Sequence, residues 1–199
     1  MSHPMSKPKI DVDRRRRRRR RRIQIVVIYS AIALGLAWFF ELQATTTVIF
    51  VRHAEKAMTP ADDPGLSEAG QRRAAELARQ LLDADVIAGV DAIYATPYRR
   101  TEETAMVVAE ALGLAITSYD EANTETIMDR IVKDHKGEII LVVGHSNTVP
   151  AMIGFMGASK KVPAIDAGDY DNIYIVSIPW FGKTKTIRLR YGEPYIPAQ

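Results

Sequence analysis

Residues 45 to 56 read TTTVIFVRHAEK. Val48, Ile49, Phe50 and Val51 are β-branched or aromatic and too few for a helix, so the run predicts a buried strand with Arg52 and His53 at its C-terminal end. The chain makes the same move twice more. Ile139 to Val143 (IILVV) stops at Gly144-His145-Ser146-Asn147, and Ala92 to Ala95 (AIYA) stops at Thr96-Pro97-Tyr98-Arg99-Arg100. In open α/β sheets ligands bind outside the C-terminal ends of the strands. Two histidines and several arginines at three such ends predict one cationic pocket for phosphate at one edge of one sheet.

Working outward, strand patterns alternate with helical ones from Thr45 on, which argues for an α/β sheet covered on both faces. Ser67 is placed to N-cap a helix running to about Ala84, with Ala74, Leu77, Ala78, Leu81 and Leu82 on its apolar side. A second helix is expected from near Arg100 to Leu112, closed by Gly113. Ala115 to Tyr119 reads as a short strand, Glu125 to about Lys133 as a helix, and Thr148 to Met156 as another. Ile173 to Ile178 and Thr184 to Arg190 read as two closing strands around a turn. Trp180 and Phe181 sit in that turn, either as an exposed contact or as hairpin filler.

The first 44 residues are unlike the rest. Residues 1 to 22 carry nine consecutive arginines, Arg14 to Arg22, and a formal charge of +9, which predicts a disordered tail. Ile23 to Phe40 (IQIVVIYSAIALGLAWFF) has no charged residue, and as a helix it would be about 27 Å long, close to a bilayer's hydrocarbon thickness. Arginines before it and Trp38, Phe39 and Phe40 at its end fit the positive-inside rule and an aromatic belt. The division expected is therefore 1–22 cytoplasmic tail, 23–42 single-pass transmembrane anchor, and 45–199 folded domain. The domain would lie on the periplasmic or extracellular side of the cell inner membrane. A cleaved signal peptide ending near Leu42-Gln43-Ala44 is the competing reading, and it too exports the domain.

Without the tail, the remaining residues carry a formal charge of −6, which argues against nucleic acid as partner of the folded part. The chain has no cysteine, which excludes disulfides, cysteine nucleophiles and thiolate metal sites.

A site that transfers a phosphoryl group needs fixed donors around its oxygens and a nucleophile in line with the leaving group. Arginine's planar fork suits the first task and a neutral imidazole the second. With cations nearby, one histidine is expected to be held neutral as nucleophile while the other is charged and binds phosphate.

Arg52-His53-Ala54-Glu55, Thr96-Pro97-Tyr98-Arg99-Arg100-Thr101-Glu102-Glu103-Thr104-Ala105 and Gly144-His145-Ser146, in this order, resemble the histidine phosphatase superfamily, also called the phosphoglycerate mutase-like family. The resemblance covers about Thr45 to Ile178. It implies a three-layer α/β/α sandwich with a mostly parallel central sheet, His53 as the nucleophile that becomes phosphorylated, Arg52 and Arg100 holding the phosphate, and His145 completing the pocket. It implies no metal and no cofactor, and a phosphorylated small molecule or envelope component as substrate.

The chain departs from the family in two places. The motif that carries the general-acid glutamate of mutase-type members is not evident; of Asp120, Glu121 and Glu125, Glu125 is favoured because it would open a helix facing the pocket, although a dipole-stabilising role serves it equally. Lys56 stands where many members have a small hydroxyl residue. A small phosphohistidine protein phosphatase and a non-catalytic phosphate-binding module are the alternatives. Glu55 reads as a pocket residue or a surface salt bridge, and His135 as a solvent-facing helix end.

Overall fold

The computed structural model describes residues 10–42, 45–83, 89–158 and 162–194. The chain divides into two compact units, Met1–Gln43 and Ala44–Gln199.

The first unit is one helix, α1 (Ile10–Leu42). The segment Arg14–Phe40 is long and apolar enough to cross a membrane, with a mean hydropathy of 2.1 over its most apolar window and none of it buried within the protein. The disorder expected for residues 1–22 differs from this: Ile10 to Arg22 continue the apolar helix. Arginine is a good helix former, and extending an existing helix is far easier than nucleating one. Residues 1–9, with His3, lie outside the described residues.

The second unit is built on a six-stranded sheet. Its strands are β1 (Thr45–Arg52), β2 (Ala92–Ala95), β3 (Ile116–Ser118), β4 (Ile139–Gly144), β5 (Asn172–Pro179) and β6 (Lys185–Arg190), in the order β3-β2-β4-β1-β5-β6. The first four run parallel, β5 is antiparallel to β1, and β6 is antiparallel to β5. The helices are α2 (Glu68–Asp83), α3 (Arg99–Leu112), α4 (Thr124–Asp134) and α5 (Thr148–Phe155). The expected elements thus form a mixed α/β sandwich.

Two buried clusters flank the sheet, and β1 feeds both. Ile49 and Val51 pack with Leu77 and Ala78 of α2 and Ala105 and Val108 of α3. Val48 and Phe50 face the other way, onto Met128 and Ile131 of α4 and Val149, Met152 and Ile153 of α5. A strand buried on both faces is apolar at every position rather than at alternate ones, which is why the run VIFV was legible. Phe50 is fully buried. Truncating it to alanine is expected to cost about 3–5 kcal/mol, read as a lowered midpoint of chemical unfolding.

Local signals set the helix ends. The Ser67 hydroxyl accepts from Gly70 N at 3.1 Å to cap α2. Gly113 adopts φ 67° after α3, a left-handed conformation that its missing Cβ permits. The pairings Arg52↔Gly144 and Ala95↔Val143 bring the ends of β1, β4 and β2 level, so the residues that follow them meet.

Candidate active site

His53 follows β1, and its backbone N donates to Gly144 O at 3.0 Å, extending the ladder one step past the strand. Gly144 allows this close packing, since a Cβ there would meet Thr148 Oγ1 and Tyr119 Oη at 3.0 Å. His145 comes next on β4, and its backbone N donates to Thr148 Oγ1 at 3.0 Å, where α5 begins. The two imidazoles meet edge to face with ring centroids 5.3 Å apart, although their residues are 92 positions apart in the chain. That spacing lets both reach one tetrahedral anion.

Hydrogen bonds fix the tautomers. His53 Nδ1 lies 2.7 Å from the Ala54 carbonyl, which only accepts, so Nδ1 carries the proton and Nε2 keeps its lone pair. His145 Nε2 lies 2.9 Å from Thr96 Oγ1, which lies 2.9 Å from Thr101 Oγ1. The carbonyls of Thr96 and Tyr98, at 2.8 and 2.7 Å, claim the Thr101 proton. Thr101 therefore accepts from Thr96, and Thr96 accepts from His145 Nε2–H. A third threonine, Thr104, accepts from Ala54 N at 3.0 Å and donates to Arg100 O at 2.6 Å, tying α3 to the segment carrying His53.

Burial lowers the His53 imidazole to about 3, against the hydrogen bond to Ala54, with Arg52, His145 and Arg100 adding to the effect. Burial and then Arg100 lower His145 to about 4, with Glu121 opposing. The expectation that one histidine would be neutral and the other charged is corrected on this point. Both lie deep among cations, and both are neutral at pH 7.

The two arginines are held differently. Arg52 is 8% exposed, and its Nη1 donates to the carbonyls of Asp166, Ala167 and Asp169 at 2.9, 3.0 and 3.2 Å. Its guanidinium carbon lies 4.0 Å from the centre of the Tyr170 ring, and that ring is 5.9 Å from His53. Arg100 stacks over Tyr98 at 4.4 Å and approaches Asp63 at 3.9 Å, with 18% of its side chain exposed. Neighbouring Arg99 turns outward and pairs with Glu103 at 3.1 Å.

Glu125 is not at the pocket edge. It is exposed in the first turn of α4, where a carboxylate favours the helix dipole. The carboxylate beside the histidines is Glu121, in a single 3-10 turn after β3, with Oε2 3.6 Å from His145 Nε2. Tyr98 donates to Glu121 Oε1 at 3.0 Å, and its ring is 5.3 Å from that of His145. The sequence favoured Glu125 as the opening of a helix, whereas the turn after a short strand brings Glu121 beside His145. Tyr98 had a signal too, as the one aromatic in TPYRR.

Two more expectations are corrected. Glu55 neither lines the pocket nor lies on the surface: it forms a largely buried pair with Arg73 at 2.8 Å, and Arg73 also donates to the carbonyls of Tyr191 and Glu193. His135 is not solvent-facing, since Nε2 lies 2.8 Å from the Tyr94 hydroxyl and Nδ1 2.6 Å from Glu138 Oε2. Among the described residues, no group of three or more His, Cys, Asp or Glu is arranged to hold a metal ion.

The family model of the histidine phosphatase superfamily (branch 1) matches residues 48–123. Phosphoserine phosphatase 1 of Hydrogenobacter thermophilus is 38% identical over 79 residues, 37% of this chain. The aligned part spans only 36% of that relative's length. Among solved structures, the protein histidine phosphatase SixA complexed with tungstate superposes with a TM-score of 0.59 at 18% identity, covering 72% of this chain and 96% of that one. Phosphoserine phosphatase of Entamoeba histolytica in complex with 3-phosphoglyceric acid gives 0.54 at 15% identity, covering 74% and 97%. Residues 48–123 thus match the histidine phosphatase superfamily, and the folded unit shares the fold of these solved phosphatases.

Proposed function

We propose that the protein hydrolyses phosphomonoesters through a phosphohistidine at His53, and that α1 tethers it to the inner membrane with the folded unit outside the cytoplasm. The observation that carries the chemistry is His53 itself, a neutral buried imidazole with its Nδ1 proton on Ala54 O and Nε2 left to attack. Arg52 and Arg100 gather the non-bridging oxygens, and His145 joins them by taking up a proton at Nδ1 when the phosphate anion binds. Nε2 forms a bond to phosphorus as the ester P–O bond breaks, and Glu121 in its acid form gives its proton to the leaving oxygen. Water then attacks the phosphohistidine, its proton passes to the Glu121 carboxylate, and the P–N bond breaks to release phosphate. Microscopic reversal of role by one carboxylate is ordinary acid–base catalysis.

The tether reading is supported by the span Arg14–Phe40 and by the arginines preceding its apolar part. Substrates would be phosphorylated small molecules or envelope components. Phosphohistidine protein hydrolysis is the second reading, favoured by the likeness to SixA. A phosphohistidine leaving group needs little acid help, so Glu121 at the pocket weighs toward monoesters.

The test is turnover of an aryl phosphate by the detergent-purified chain. Activity that disappears in His53→Ala is the expected result; equal turnover in the variant removes His53 as nucleophile.

A further inference from the structure

Tyr98 occupies a backbone position that ordinarily goes to a short polar residue. It is the N-cap of α3, extended in conformation, and its carbonyl accepts from Thr101 N and Glu102 N at 3.0 Å each and from Thr101 Oγ1 at 2.7 Å. Ser, Thr, Asp and Asn are preferred there because their side chains bond the first free N–H groups of the helix. Tyr98 makes no such bond, and Asp63, from the segment between β1 and α2, accepts from Arg99 N at 3.2 Å instead. A local preference broken beside the chemistry points to a use for the side chain elsewhere.

Three contacts show that use. The hydroxyl donates to Glu121 Oε1 at 3.0 Å, the Arg100 guanidinium lies 4.4 Å from the ring centre, and the ring meets that of His145 edge to face at 5.3 Å. Glu121 stands on a single 3-10 turn whose backbone is set by Asp120 accepting from Ala122 N at 2.9 Å, yet 38% of its side chain is exposed. A half-exposed carboxylate keeps its rotamer freedom unless something holds it, and the Tyr98 hydrogen bond does so. The same bond raises the Tyr98 pKa, so the hydroxyl keeps its proton at pH 7 and remains a donor. It also sorts the two oxygens. With Oε1 accepting from Tyr98, the acid form of Glu121 carries its proton on Oε2, the oxygen 3.6 Å from His145 Nε2.

We infer that Tyr98 is a positioning residue for proton transfer: its hydroxyl turns Glu121 so that Oε2 faces the leaving oxygen, while its ring keeps that acid in register with the phosphate on Arg100. The proton on Oε2 passes to the ester oxygen as the P–O bond breaks. Oε2 takes a proton back from the water that attacks the phosphohistidine, and Tyr98 keeps its own proton throughout. Tyr98 acts only through its neighbours, a role that rests on Glu121 being the acid of the hydrolysis proposed above.

Removing the hydroxyl alone separates positioning from packing, because Tyr98→Phe keeps a ring against Arg100 and His145. The full-length, detergent-purified variant is compared with Glu121→Gln and with the double variant on two substrates. Ethyl phosphate has a leaving oxygen that needs a proton; nitrophenyl phosphate does not. Tyr98→Phe is expected to lower the kcat ratio of ethyl to nitrophenyl phosphate about tenfold, part of the roughly 10²–10⁴-fold that general acid catalysis contributes, with KM unchanged. In the Glu121→Gln background the same change should lower the ratio no further, because residues on one path are not additive. A ratio that Glu121→Gln lowers and Tyr98→Phe does not overturns the role of Tyr98 and leaves Glu121 as the acid. Equal losses on both substrates in Tyr98→Phe overturn it too, since they mark a packing defect. A further drop in the double variant overturns the path through Glu121. A ratio unmoved by Glu121→Gln overturns the acid, and the positioning by Tyr98 with it.

Discussion

The two ends of the parallel strands solve opposite problems. At the C-terminal end, Arg52, His53 and His145 are each under a tenth exposed, and Arg52 Nη1, His53 Nδ1 and His145 Nε2 each have a defined neighbour. At the N-terminal end of β1, the turn between β5 and β6 leaves Phe181 88% exposed. One end buries charge and must preorganise it; the other is a surface turn with no such demand. The chemistry is thereby kept a strand's length from that turn, so a change at the turn should leave turnover intact.

The largest effect comes from His53→Ala, which should reduce turnover of an aryl phosphate to the uncatalysed level, while a parallel Phe181→Ser variant keeps it. Glu121→Gln comes next. It should cost roughly 10²–10⁴-fold in kcat on alkyl phosphates, whose leaving oxygen needs a proton, and little on nitrophenyl phosphate, whose leaving group does not. Equal losses on both would place Glu121 outside the proton path and favour the phosphohistidine reading.

The arginines sharpen the comparison within the catalytic end. Arg52 is locked by three carbonyls and Tyr170, whereas Arg100 leans on the Tyr98 ring and a long 3.9 Å approach to Asp63. Arg52→Lys should therefore lose more kcat/KM than Arg100→Lys, by about tenfold, because an ammonium cannot reproduce the planar fork. A smaller effect is expected from pH. The folded His53 value near 3 lies below the unfolded value of 6.5, so the unfolded chain binds the proton first as pH falls. Its stabilising contribution is complete above pH 6.5 and is lost on the way down to 3. His53→Gln should flatten the acid side of the Tm profile, and NMR of the ligand-free protein should show no His53 titration between pH 5 and 8. Smallest of all, Phe181→Ser should leave kcat/KM on a soluble aryl phosphate unchanged within error.

Much of this was legible from residues alone. VIFV, AIYA and IILVV are buried on both faces, so their unbroken apolarity marked the strands and their polar stops marked the site. Gly113 and Ser67 marked helix ends through local geometry that a short window contains. What stayed hidden depended on distant packing. Glu55 faces Arg73, His135 faces Tyr94, and Glu121 reaches His145 only because β3 is short and lies two strands from β4's end. The lowering of both histidines followed from burial depth, which a sequence pattern of alternating strands and helices does not specify. The Arg14–Arg22 tract misled for another reason: its composition suggests disorder, while the helix it adjoins carries it along.

The proposed chemistry turns on a P–N bond to one imidazole. Rapid acid-free quenching of the protein with an aryl phosphate, followed by peptide mass spectrometry, reads that bond directly. A phosphoryl group on His53, stable to base and lost in acid, is the predicted result. A phosphoryl group that resists acid and maps to a hydroxyl or carboxyl side chain, with His53 unmodified, would contradict it.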